Sequence, residues 1–289
     1  MYPKNSTGGG GTLATPPSNM EIGVYNTIPD TTPGAPTTSN TKIIEFSKEY
    51  KPPPGFIVGL NFLDFDNSHS LRIKPAIHAV ISKQAVVSLS SWNNTVQYNS
   101  GLSWFLYPSD DTNFKKGSWS TKDPRAQKEI TFDKEYPELP TIVVFFSTLA
   151  LDKSAHTRVA VFPTDITTKG FKINVETWSE IKLEEVGVTW LALPTMRPGL
   201  MAGTFSTLDV RPAEPAQLNT QGVAEFTKPF PKGAKVFLGL NYIDVDKSAH
   251  TRIRLSTSNV TERQMDWHID SWGDTTLRAA GAAYIVIDG

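Results

Sequence analysis

Asp152-Lys-Ser-Ala-His-Thr-Arg158 returns unchanged as Asp246-Lys-Ser-Ala-His-Thr-Arg252. Working outward from this heptapeptide, the same landmarks stand on either side of both occurrences. Phe132, Asp152, Arg158, Trp178 and Trp190 lie 20, 6, 20 and 12 residues apart, and Phe226, Asp246, Arg252, Trp272 and Tyr284 repeat those intervals. So do Phe46, Asp66, Arg72, Trp92 and Trp104. Gly59-Leu-Asn-Phe-Leu-Asp-Phe-Asp66 answers Gly239-Leu-Asn-Tyr-Ile-Asp-Val-Asp246, and a shorter signal opens each copy at Gly23-Val-Tyr25, Gly117-Ser-Trp119 and Gly203-Thr-Phe205. Four intervals kept three times define an internal repeat. The units are placed at residues 21–109, 115–195 and 200–289. They follow a segment, 1–20, whose Gly, Pro, Ser and Thr content predicts disorder.

Within each unit the apolar residues alternate or come in short β-branched and aromatic blocks, the signature of strands. In the first unit these are 56–65, 71–81, 85–92 and 102–107. The aromatic opening stretch and the stretch around Phe46 raise the count to about six. No segment carries a capped amphipathic helical period. The expectation is an all-β chain of three tandem six-stranded antiparallel β-sandwiches. A unit of about 90 residues is marginal alone. The connections at 109–116 and 195–200 are short, so the units must be neighbours, and a closed pseudo-threefold arrangement is predicted.

The bulk properties narrow the function. A formal net charge of −1 gives no general basis for binding nucleic acid or an anionic membrane. There is no cysteine, hence no disulfide and no thiolate metal site. No apolar run approaches the roughly 20 residues needed to span a bilayer. The N-terminal stretch lacks a signal-like apolar core, so the expectation is a cytoplasmic protein without membrane insertion, with unconventional secretion left open.

Three residue types could carry chemistry. Arg72, Arg158 and Arg252 each stand 20 residues before a tryptophan. A guanidinium offers five fixed donors suited to vicinal hydroxyls or a carboxylate, and an aromatic ring accepts the apolar face of a pyranose. The competing reading is an ion pair with Asp66, Asp152 or Asp246, six residues earlier. Trp104, Trp190 and Tyr284 sit inside apolar strands and read as core, whereas Trp92, Trp178 and Trp272 end a strand beside polar residues. His156 and His250 lie near Ser154, Ser248, Asp152 and Asp246, but one turn cannot supply the separate elements from which a catalytic relay converges. One His and one Asp per unit are too few for a metal. The expectation is therefore no enzyme, no cofactor and no metal.

Together these residues resemble the H-type lectin family, whose founding members are snail agglutinins that recognise N-acetylgalactosamine. Its pattern is met by Phe46, Pro52–Pro54, Leu63-Asp64, Arg72, Trp92-Asn-Asn-Thr and Leu102-Ser-Trp104, and in the second unit by Gly170-Phe171 and Val188-Thr-Trp190. The likeness covers residues 45–108, 131–194 and 225–288. It implies six-stranded sandwiches assembled as trimers, with sugar sites where protomers meet. One chain with three copies resembles such a trimer made covalent. In the family the sugar is held by the Arg, by the strand-end Trp and its following residue, by a Tyr six positions on, and by an N-terminal Asp.

Carried over, the resemblance selects Arg72, Trp92, Tyr98 and Asn93, the last in place of the usual His. It selects Arg158 and Trp178 in the second unit, where Ser179 and Glu184 replace the other two contacts. In the third it selects Arg252 and Trp272, beside Gly273 and Arg278. Asp30, Asp123 and Asp209 are the candidate aspartates. The first unit matches best, the third next. The implied function is a multivalent lectin for galactose-type sugars, especially N-acetylgalactosamine, on glycans or glycoproteins. The alternative is a structural or protein-interaction module that has lost sugar binding. Assembly into a homo-oligomer is left open.

Overall fold

A computed structural model of the chain describes residues 19–30, 35–179, 181–231 and 233–289. Most of the segment expected to be disordered, residues 1–18, lies outside the described residues. Unit one contributes β1 (Glu21–Asn26), β2 (Ser39–Glu45), β3 (Gly55–Phe65), β4 (Leu71–Val80), β5 (Gln84–Ser90) and β6 (Gln97–Tyr107). Unit two contributes β7 (Lys115–Thr121), β8 (Gln127–Thr131), β9 (Thr141–Leu151), β10 (Thr157–Thr164), β11 (Gly170–Glu176) and β12 (Leu183–Leu193). Unit three contributes β13 (Leu200–Ser206), β14 (Asn219–Glu225), β15 (Ala234–Val245), β16 (Thr251–Ser258), β17 (Gln264–Asp270) and β18 (Leu277–Asp288). Among the described residues the helical structure is limited to single 3-10 turns at Ile28–Asp30 and Thr207–Asp209.

The strands follow the polarity of the sequence. In β17 Met265, Trp267 and Ile269 point inward while Gln264, Asp266, His268 and Asp270 point out, a strict period of two. β3, β9, β15 and β18 are instead apolar almost throughout, because both of their faces are covered. In β3, Phe56, Val58 and Leu60 enter the sandwich core, and Ile57 enters a second cluster built from all three units.

Each unit is a sandwich of two three-stranded leaves, the first, sixth and third strands in one and the second, fifth and fourth in the other. The leaves do not stop at the unit borders. The three sheets have the orders β2-β5-β4-β9-β12-β7, β13-β18-β15-β10-β11-β8 and β1-β6-β3-β16-β17-β14. In each, the fourth strand of one unit pairs antiparallel with the third strand of the next, and the last unit returns to the first: Arg252 lies opposite Asp64 and Arg254 opposite Phe62. The three seams, I (units one and two), II (two and three) and III (three and one), therefore close a ring. The hairpin turns before the fourth strands also touch in a ring. Lys153 Nζ donates to Ser68 O, Lys247 Nζ to Ser154 O, and His250 Nε2 meets Asp66 Oδ2.

Two repeated glycines have steric reasons. The opening glycines Gly23, Gly117 and Gly203 pair across the sheet with Trp104, Trp190 and Tyr284. The aromatic ring lies flat on the glycine, and an added Cβ would fall 2.4–2.6 Å from ring atoms or the Tyr284 hydroxyl. The three aromatics thus belong to the cores of their units, Trp190 and Tyr284 buried and Trp104 half-buried.

On the shared central cluster, Gly59, Phe145 and Gly239 hold one repeat position. A Cβ on Gly59 would lie 2.8 Å from Phe237 Cζ, and one on Gly239 would lie 2.9 Å from Phe145 Cγ. A single ring fits where three units meet, and Phe145 supplies it, packed 5.1 Å from Phe237. Phe145→Ala is expected to cost about 3–5 kcal/mol by opening a cavity shared by all units. A urea titration of folding that leaves the midpoint unchanged would show this level to be loosely packed.

Candidate functional site at the seams

Each seam brings the arginine and tryptophan of one unit against the third and sixth strands of the next. In seam III, Arg252 Nε donates to Asp64 Oδ1 at 3.2 Å and Nη1 donates to Asp274. His250 stands between two carboxylates, with Nε2 2.9 Å from Asp66 Oδ2 and Nδ1 2.8 Å from Asp274 Oδ2. Tyr98 donates its hydroxyl to Asp66 at 3.2 Å. Trp272 packs on Phe62 with ring centres 5.6 Å apart. Beside them runs a groove of about 500 Å³ lined by Ile28, Phe62, Asp64, Asn99, Arg254 and Trp272.

Seam II is built alike. Arg158 Nε donates to Asp244 Oδ1 at 3.0 Å, Trp178 Nε1 donates to Asp244 Oδ2 at 3.3 Å, and Trp178 stacks on Tyr242 at 5.1 Å. Arg278 takes the place that Tyr98 has in seam III and donates to Asp246 at 3.0 Å. Seam I differs. There Arg72 donates from Nε and Nη2 to the two oxygens of Glu184 at 2.7 and 2.6 Å, and from Nη1 to Asn94 at 3.2 Å. The strand position of Asp64 and Asp244 is Ala150, and that of Phe62 and Tyr242 is Thr148. A larger groove of about 590 Å³ near this seam is lined by Lys74, Lys116, Ser118, Thr148, Glu185 and Thr189, and does not reach Arg72 or Trp92.

The ionisable groups respond to these contacts. Burial pushes the Asp66 carboxyl up, but hydrogen bonds from Ser68 and His250 outweigh it and hold it at about 2. Burial also opposes ionisation of Asp274, and His250 and Arg252 more than reverse that. His156 is pushed down from its ordinary value, first by burial and then by the charge of Arg158.

The residues selected from the sequence are regrouped by the fold. Tyr98 does not join Arg72 and Trp92; it faces Asp66 and His250 in seam III, so the best-matching unit divides its contacts between two seams. Nor do the arginines pair with the aspartates six residues before them. Their partners Asp64, Asp244 and Glu184 come from the next unit, because the seam places the neighbour's third and sixth strands beside each arginine. The histidines likewise reach across: His156 Nδ1 lies 3.4 Å from Asp246 Oδ2, and His250 meets Asp66. Trp92, Trp178 and Trp272 are half-buried at the seam rims. Asn93, Ser179 and Gly273 follow them with φ of 56°, 64° and 67°. This left-handed turn suits Asn and Gly, and at Gly273 a Cβ would fall 2.7 Å from Arg252 Nη1.

The three candidate aspartates are engaged elsewhere. Asp30 accepts from the Tyr25 hydroxyl at 3.0 Å, Asp123 from Arg125 N–H at 2.9 Å, and Asp209 from Ser206 N–H at 2.7 Å in a capping box. None bonds to a seam arginine or tryptophan. Residues to which the sequence assigned no site role complete the seams: Asp274, Phe62 and Tyr242, with Asp244 and with Asp64, which entered as part of the family pattern. The signal for the last pair was their recurrence in the two matching octapeptides.

In this ring of sandwich units each seam arginine meets a neighbour's carboxylate, with a half-buried tryptophan at the rim beside it, an arrangement composed by two units at a time. The H-type lectin domain profile matches residues 41–105, 127–193 and 223–287, and the chain belongs to that family, a family of carbohydrate-binding domains. It is also similar to the protein called ATP synthase subunits region ORF 7 of Fuscovulum blasticum, 28% identical over 80 residues, which are 27% of this chain and 70% of that protein.

Asp66 gives the seam a pH dependence. Its carboxyl ionises at about 2 in the folded chain against an ordinary value of 3.8, so its contribution is present above about pH 4 and is lost as the pH falls towards 2. Urea midpoints measured from pH 5 to 2 are expected to fall over that window, and to fall less in Asp66→Asn. An equal fall in both proteins would remove Asp66 from the account.

Proposed function

We propose that this chain is a multivalent lectin for galactose-type sugars, N-acetylgalactosamine foremost, and that seam III is its principal site. The observation that carries the reading is the state of Arg252. Its Nε and Nη1 are oriented by Asp64 and Asp274, while Nη2 has no hydrogen-bond acceptor among the described residues. A guanidinium fixed on one side and open on the other chelates neighbouring hydroxyls without reorganising. Trp272 at the groove offers an apolar ring for the sugar's C–H face. Asp66, Asp274 and Asn99 add acceptors for the remaining hydroxyls. Asp64, Asp66 and Asp274 more than offset the charge of Arg252, which disfavours an anionic ligand and suits an uncharged sugar.

A shallow site of this kind binds at about 1 mM, or roughly −4 kcal/mol, and linkage of several sites raises avidity by about 10²–10⁴ on clustered glycans. Isothermal titration with N-acetylgalactosamine is expected to give millimolar binding that weakens at least tenfold in Arg252→Ala. Haemagglutination should be inhibited by the same free sugar. A glycan array without any hit at high protein concentration would favour the second reading, a structural or protein-interaction module. The bidentate Arg72–Glu184 pair supports that second reading for seam I alone.

A further inference from the structure

We infer that Glu184 is a built-in occupant of seam I: its carboxylate takes the place of a sugar on Arg72 and keeps that one seam closed. The inference rests on the lectin reading of seam III and extends it to the differences between seams. Tyr98, Glu184 and Arg278 hold one repeat position, six residues after the strand-end tryptophan. In seams II and III the carboxylate that orients the arginine comes from the third strand, Asp244 or Asp64, and receives only Nε. Among the described residues Nη2 of Arg158 and of Arg252 meets no acceptor.

Unit two has Ala150 where those aspartates stand. With no acid opposite Arg72, an unpaired guanidinium would be left with a side-chain exposure of only 10%, a costly burial. Glu184 supplies the missing charge from the sixth strand instead. Coming from that side, it covers the Nε–Nη2 edge of the guanidinium with both oxygens, at 2.7 and 2.6 Å. Asn94 takes Nη1, so all three nitrogens of Arg72 are engaged. Nη2, which meets no acceptor among the described residues in seam III, is taken by Glu184 in seam I. Trp92 also lacks the facing aromatic ring that Phe62 and Tyr242 provide in the other seams. The two changes, Ala150 and Glu184, therefore act as one: they move the arginine's counter-charge from beneath the site into it.

The test uses the full chain and two probes. The double variant Ala150→Asp with Glu184→Tyr installs the acid and the tyrosine that unit one has at these positions, and Glu184→Ala uncovers Arg72. Titration with N-acetylgalactosamine is expected to show one additional sugar per chain in the Ala150→Asp, Glu184→Tyr variant relative to the parent, and Arg72→Lys in the same background should remove it. Sodium acetate, a free carboxylate, is expected to raise the melting temperature of Glu184→Ala more than matched chloride does, with no such difference in the parent. Glu184→Gln, which keeps the shape and loses the charge, should show a smaller acetate effect than Glu184→Ala if it folds less stably than the parent. Unchanged sugar stoichiometry together with no acetate response overturns the inference. An acetate response in a chain that binds no sugar at any seam leaves the occupant in place and sinks the lectin reading instead.

Discussion

Everything in this molecule depends on one strand edge meeting another across a unit border. A three-stranded leaf ends in a third or fourth strand whose N–H and C=O groups need partners, and a unit of about 90 residues has too small a core to stand comfortably alone. The chain meets both needs by pairing the fourth strand of each unit with the third of the next. The last pairing, β16 with β3, joins residues 188 apart, as in Arg252 with Asp64. Closing this ring turns three half-finished sheets into three complete ones. It also creates the seams, which exist in no unit by itself.

Covalent linkage gives the ring a freedom that three identical subunits lack. A symmetric assembly must place the same residue three times at every level of its axis. Here Phe145 stands where the other units have Gly59 and Gly239, and the geometry around those glycines leaves room for one ring only. The same freedom shows at the rim, where Tyr98, Glu184 and Arg278 occupy one position with three chemistries. Divergence at the axis tightens the packing. At the rim it makes the seams unequal.

The fold was legible in the sequence because its evidence is local and repeated. Fixed intervals gave the three units, period-two alternation gave the strands, and connections of a few residues forced the units together. What the intervals could not carry was the identity of the neighbour. Spacing within a unit places Tyr98 six residues after Trp92, yet the two side chains diverge into different seams, because the sixth strand belongs to the leaf that faces the preceding unit in the ring. The same limit hides the partners of the arginines: an aspartate six residues away in the chain is a plausible partner, and only the seam register shows that Asp64 lies opposite Arg252. The tryptophan pairs of core and rim were separable in advance, since strand interiors and strand ends differ in their flanking polarity. The N-terminal aspartates follow from the family resemblance alone, and in the structure each makes a local hydrogen bond rather than one to a seam arginine.

The seam acids hold two roles at once. An arginine this deeply set needs a counter-charge, and Asp64 and Asp244 supply it in two of the three seams. By binding Nε they also fix the plane of the guanidinium, and under the proposed function a fixed plane lets the remaining donors meet a sugar without further loss of side-chain freedom. On that reading, stability and recognition are compatible while the acid approaches from the third strand and takes Nε alone. When it approaches from the sixth strand, as Glu184 does, the same charge satisfies the ring and excludes the ligand. On the proposed function, the direction from which the arginine is neutralised, rather than the presence of the arginine, sets which seam is free for a ligand.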